Sequence, residues 1–124
     1  MSEGFAITAA VLVLLWGISH LIPTRQVVAG FGDIGPDNRH VITMEWVAEG
    51  LAFVFVAVLV ASVTWSSAVP PAAEDLVYRM SAGFLLVIGA WTSVTGARTG
   101  VIWFKMCPVV MAGSAGLLIA ASLL

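Results

Sequence analysis

Four apolar segments, residues 5–22, 41–65, 76–97 and 101–124, constrain this chain more than anything else in it. Each is long enough to cross a bilayer as a helix, which takes about 20 predominantly apolar residues. With 60% hydrophobic residues, 10% charged residues and a mean hydropathy of +1.06, the chain is too apolar for one soluble core to absorb. The expected fold is all-α: an antiparallel four-helix bundle in the membrane, forming one transmembrane domain over residues 1–124. A glycine-rich interfacial loop is expected between the first and second spans. No room is left for a soluble catalytic domain, so any chemistry must use the helices and their short connections.

Charge and cysteine content narrow the classes. A net charge of −2 and the lack of any basic run exclude a nucleic-acid partner. The single cysteine, Cys107, excludes an intrachain disulfide and a cysteine-pair zinc site, leaving an ordinary packing residue.

The first segment has an acidic residue, Glu3, and no Lys or Arg ahead of its apolar run, so it is expected to be a retained span and not a secretory leader. His20 falls three residues after Gly17 and four after Trp16, so the three share a face, and Pro23 ends the helix. The connection that follows contains GFGDIG, where Gly30, Gly32 and Gly35 satisfy a dinucleotide fingerprint. That fingerprint needs a preceding strand and a βαβ unit, and a membrane span precedes it here. A compact loop at the membrane surface is expected instead, with Val27, Val28 and Phe31 at the interface and Asp37 capping the second span. Pro70 and Pro71 separate the second span from the third, which Tyr78 and Arg79 are expected to anchor at the interface. Pro108 is expected to kink the fourth.

The second span carries the most informative stretch, HVITMEWVAEG, residues 40–50. Glu45 and Glu49 lie four residues apart, one helical turn along one face, with Ala48 and Ala52 beside them for close helix approach. An ionisable group inside a membrane span is costly, so it marks a site by default. Four antiparallel spans bring His20, His40, Glu45, Glu49, Trp91, Thr95, Arg98, Trp103, Lys105 and Cys107 to one leaflet. A polar pocket there, covered by the glycine-rich loop, is expected to bind a ligand or protons, with Glu49 roughly 13 Å beyond His40 as its deepest charge. The excess of Arg25, Arg39, Arg98 and Lys105 in the first and third connections puts that leaflet on the cytoplasmic side, with both chain ends opposite.

Several chemistries fit these residues. Two neighbouring carboxylates resist a second charge, so one holding a proton suits a proton-coupled carrier or an acid/base. Alternatively, Arg98 or Lys105 neutralises them as a structural tether. His20, His40, Glu45 and Glu49 supply enough ligands for iron or zinc, but His40 and Glu45 are five apart and diverge on a helix, so no metal site is assigned. Trp16, Trp46, Trp91 and Trp103 suit an interfacial belt, or a pocket for a flat lipophilic ligand such as a quinone. Met44, Met106 and Met111 show no repeated motif and are expected to pack.

The segments WGISHLIP, closing the first span, and EWVAEGLAFVFVAVLV, opening the second around a long loop, resemble the DoxX-like small four-helix membrane proteins. That resemblance implies a respiratory or thiol-redox setting and a quinone-linked accessory role. Small multidrug resistance proteins are similar in length and span number, but their working glutamate lies in the first span, where this chain has His20 and no carboxylate. Three functional readings follow: a redox-associated accessory subunit binding a lipophilic ligand, a proton-coupled small-molecule transporter using Glu45 and Glu49, and a membrane enzyme acting on a lipid-like substrate. In each, the chain is expected to sit in the cell membrane and to self-associate or join a membrane complex.

Overall fold

Pro23 has no N–H with which to extend a helix, and α1 (Ser2–Leu21) ends just before it. In the computed structural model, which describes residues 1–124, the chain then forms a short α2 (Thr24–Ala29) where a loop without regular structure was expected. The helix α3 (Pro36–Trp65) starts at Pro36, five residues before the apolar run. Proline suits the first helical position, where no internal acceptor awaits its missing N–H. Gly35 therefore takes the cap position expected of Asp37, which lies inside the first turn. Pro71 opens α4 (Pro71–Val94) in the same way; a 3-10 turn at Gly96–Arg98 leads to α5 (Ile102–Ala121), which continues through Pro108.

The four long helices are each long and apolar enough to cross a membrane, and together they make a multi-pass membrane protein. The buried positions repeat at helical spacing. Ala6, Ala9, Ala10 and Val13 on α1 meet Phe53, Val56, Ala57 and Val60 on α3, and Tyr78, Ala82 and Leu85 on α4 meet Met111, Ala115 and Leu118 on α5, in one core. Alanine recurs because association inside lipid depends on close backbone approach and not on expelling water. Large apolar residues such as Leu15, Phe55, Val87 and Val109 stay on the outside, where lipid would cover them.

Around the bundle the packing order is α3, α1, α5, α4, and α3 and α4 touch only sparsely. Arg79 near the start of α4 donates to the Ser122 carbonyl just past the end of α5, at 3.1 Å, while a Cβ on Gly89 would lie 3.2 Å from Met111. The link between α3 and α4 is a polar chain near their connection. Thr64 Oγ1 lies 2.7 Å from the Tyr78 hydroxyl, which donates to the Glu74 carboxylate. Tyr78 is thus a core residue and not the interface anchor expected from its place near a helix end.

Candidate functional site

Two glycines bring α1 and α3 together. A Cβ on Gly17 would sit 3.1 Å from the Gly50 carbonyl oxygen and equally near Phe53 Cβ, and a Cβ on Gly50 would sit 2.8 Å from Leu21 Cγ and 3.2 Å from His20 Cδ2. Gly50 therefore does what Ala48 and Ala52 were expected to do; Ala48 is exposed. The crossing sets His20, expected to share a face with Gly17, directly against Trp46 and Glu49.

The last carbonyls of α1 have no partner within the helix. Ile18 O accepts from the Ile22 N–H, Leu21 O from the Thr24 hydroxyl at 2.6 Å, and His20 O from the Trp46 indole Nε1–H at 2.8 Å. The imidazole returns the bond: His20 Nε2 lies 3.1 Å from the Trp46 carbonyl oxygen. A carbonyl only accepts, so Nε2 carries the proton and Nδ1 is the basic nitrogen of the neutral ring. The two rings stack at 3.8 Å between centroids and 15° between planes, with Phe53 edge-on to His20 at 6.0 Å and Phe104 edge-on to Trp46 at 5.8 Å.

Glu49 Oε2 lies 3.8 Å from His20 Nε2, and this is the one ion-pair contact in the molecule. The His20 side chain is 10% exposed and that of Glu49 34%. The distance exceeds a hydrogen bond, and the nitrogen facing the carboxylate already carries the ring proton, so the contact is electrostatic: a second proton taken up at Nδ1 would set a positive charge beside Glu49. Neither Arg98 nor Lys105 forms an ion pair, so the tether allowed for by the sequence is absent.

The other candidates are dispersed. Glu45 is exposed whereas Glu49 is half-buried, so the two carboxylates differ in surroundings despite their four-residue spacing. His40, Arg98 and Lys105 are exposed as well, and Trp91 and Trp103 are 66% and 69% exposed on the outside of the bundle. His20, His40, Glu45 and Glu49 do not converge as a ligand set, and no three His, Cys, Asp or Glu side chains are placed to hold one metal ion.

Two residues assigned to packing or to the aromatic belt lie inside the bundle. The Trp16 indole Nε1 is buried without a hydrogen-bond partner, so Trp16 is no belt residue. It adjoins the buried Cys107, which is also close to Thr92 and near Glu49. An i, i+4 relation between Trp16 and His20 was visible in the sequence, which tied Cys107 to His20 only by their common leaflet. Beside the site, two clefts open between α2 and the first turns of α3, with volumes of about 350 and 730 Å³, and neither is lined by His20 or Glu49.

Compared with models of protein families, with curated proteins and with solved structures, the chain has no significant match in any of the three.

Proposed function

We propose that the protein is a proton-coupled carrier of small organic cations, working as an antiparallel four-helix bundle in the cell membrane with both chain ends on the non-cytoplasmic side. The observation that carries this reading is the partner of Glu49. A permanent cation such as Arg98 or Lys105 would hold the carboxylate charged and fixed, whereas His20 can give its proton up. With the second ring proton held at His20 Nδ1, the pair is neutral overall both as imidazole with carboxylic acid and as imidazolium with carboxylate. It therefore accommodates a proton inside a membrane span without leaving a net charge in low dielectric.

A cation binding at the carboxylate competes with that proton for the same oxygen atoms. Exclusive occupancy of one carboxylate by either species is the minimum requirement for exchange. Trp46 and Phe53 against His20, with Phe104 edge-on to Trp46, give the His20 side of the pair aromatic surface suited to a flat, lipophilic cation. Four helices enclose little volume, so the carrier is expected to complete its path as a homo-oligomer; a strictly monomeric yet transporting particle would contradict that part.

The test is ethidium movement in proteoliposomes under an imposed pH gradient. Wild-type protein and E45Q are expected to move the dye, and E49Q is expected to be inert. Equal transport by E49Q would remove the proposal.

A second reading rests on the exposure of Trp91 and Trp103. A quinone or similar lipophilic ligand, as the DoxX-like resemblance implies, would dock against these two indoles from the lipid side. Co-purifying quinone that W91A/W103A loses would favour it; absence of quinone from the wild type would count against it.

A further inference from the structure

We infer that the cleft between α2 and the start of α3 is a binding site for a phosphate ester, presented by an anionic lipid at the membrane surface. The site is separate from Glu49 and does not depend on the transport reading. Its walls are Thr24, Arg25, Val28, Arg39, His40 and Thr43, around about 350 Å³. Arg25 comes from α2 and Arg39 from α3, so the fold brings two of the chain's five Lys and Arg residues to one cavity.

No carboxylate lines that cavity, and neither arginine forms an ion pair, although Asp33 and Asp37 are close in sequence. Arg25 makes no side-chain hydrogen bond, and Arg39 makes a single long one, 3.5 Å to the Gly32 carbonyl. Two arginines lining one cleft with no carboxylate among its walls make it favourable to an anion. Their planar donor forks match phosphate oxygens two at a time. His40 adds a further donor. The Thr24 hydroxyl ties the start of α2 to the last carbonyl of α1, which fixes the backbone next to Arg25.

What lies beside the cavity identifies the carrier of the phosphate. The larger cleft shares Thr24, Arg25 and Thr43 with the first and continues along Leu21, Ile22 and Val47. The charged cleft thus adjoins, at the level where α1 ends, an open groove with Leu21, Ile22 and Val47 among its walls beside the polar Gln26. That is the order of head group and acyl chain in a phospholipid, and it occurs where basic residues meet the head-group layer.

The experiment is native mass spectrometry of the full-length protein after exchange into phosphatidylglycerol or phosphatidylcholine nanodiscs. Three variants are compared: R25Q/R39Q, the charge-retaining R25K/R39K, and R98Q/K105Q, which removes the same charge from other exposed positions. The wild type is expected to retain phosphatidylglycerol in preference to phosphatidylcholine. R25Q/R39Q should weaken retention roughly thirtyfold, R25K/R39K should keep part of it, and R98Q/K105Q should behave as wild type. Lipid that survives a challenge with inorganic phosphate supports the lipid head group as the source. Complete displacement by phosphate would overturn the lipid assignment in favour of a soluble phosphate on the same arginines. Equal retention of both lipids, or equal loss in R98Q/K105Q, would overturn the site itself.

Discussion

His20 and Trp46 exchange two hydrogen bonds across the α1–α3 contact, the indole N–H capping the His20 carbonyl at 2.8 Å and the imidazole reaching the Trp46 carbonyl at 3.1 Å. One residue pair thereby closes the end of α1, selects the imidazole tautomer and aims Nε2 between the Trp46 carbonyl and Glu49. Trp46→Phe keeps an aromatic ring but removes the donor, leaving a helix-terminal carbonyl without its partner. The expected cost is about 1–2 kcal/mol in reversible unfolding from mixed micelles. Trp46→Phe is also expected to weaken the functional coupling of His20 to Glu49. Unchanged unfolding would mean that the reciprocal pair contributes nothing to the fold.

Glycine substitutions separate close approach from mere helix composition. Gly17→Ala places a methyl group 3.1 Å from the Gly50 backbone oxygen, which cannot rotate away, so α1 and α3 must part. A loss of about 1–3 kcal/mol is expected. Gly50→Ala meets the flexible end of Leu21 first and is expected to be milder for stability but to displace His20. Gly113→Ala and Gly116→Ala enter open space and should be neutral, or stabilising by up to about 1 kcal/mol. Parallel denaturation curves for the four variants check the ranking.

At the other end of the bundle, Tyr78→Phe removes the hydroxyl that joins Thr64 on α3 to Glu74 on α4. Its bonds to Thr64 and Glu74 are both lost, while Thr64 can still donate to the Val60 carbonyl at 2.7 Å. The expected destabilisation is about 1 kcal/mol. Because α3 and α4 touch sparsely elsewhere, faster hydrogen exchange should appear at the connection between them and not around His20.

Cys107 is 8% exposed in the folded bundle. N-ethylmaleimide should therefore label it slowly in native protein and promptly after denaturation in dodecyl sulfate. Gly89→Leu, which drives a side chain against Met111 and Pro108, should accelerate native labelling by loosening the α4–α5 contact. Prompt labelling of the wild type would show that the thiol is reachable from solvent.

The spans were legible because an apolar run of bilayer length has few alternatives, but the third was expected from residue 76 and α4 already starts at Pro71, where the charged first turn hid it. The short α2 was not: TRQVVA is too brief to show a period, and the glycines after it suggested a loop. Pro36 began a helix for the same reason as Pro71, but its glycine neighbours hid it. Within the site, the face shared by Trp16, Gly17 and His20 could be read from spacing alone. The partner of Glu49 could not, because it depends on which turn of α1 crosses α3. That choice is made by Gly17 and Gly50 fitting each other's backbone, a pairing across 33 residues that no local pattern displays. Glu45 was overvalued because its spacing from Glu49 says nothing about whether the two carboxylates share the same surroundings.

Glu49 takes up and releases one proton, and the neighbouring His20 sets the affinity for it. Infrared difference titration of the protein in lipid, following the side-chain carboxyl bands, tests it directly. One carboxyl transition is expected to vanish in E49Q, to persist in E45Q, and to move its midpoint in H20Q while the remaining transitions stay fixed. A Glu49 transition with the same midpoint in H20Q as in wild type, or no transition that E49Q removes, would contradict the account.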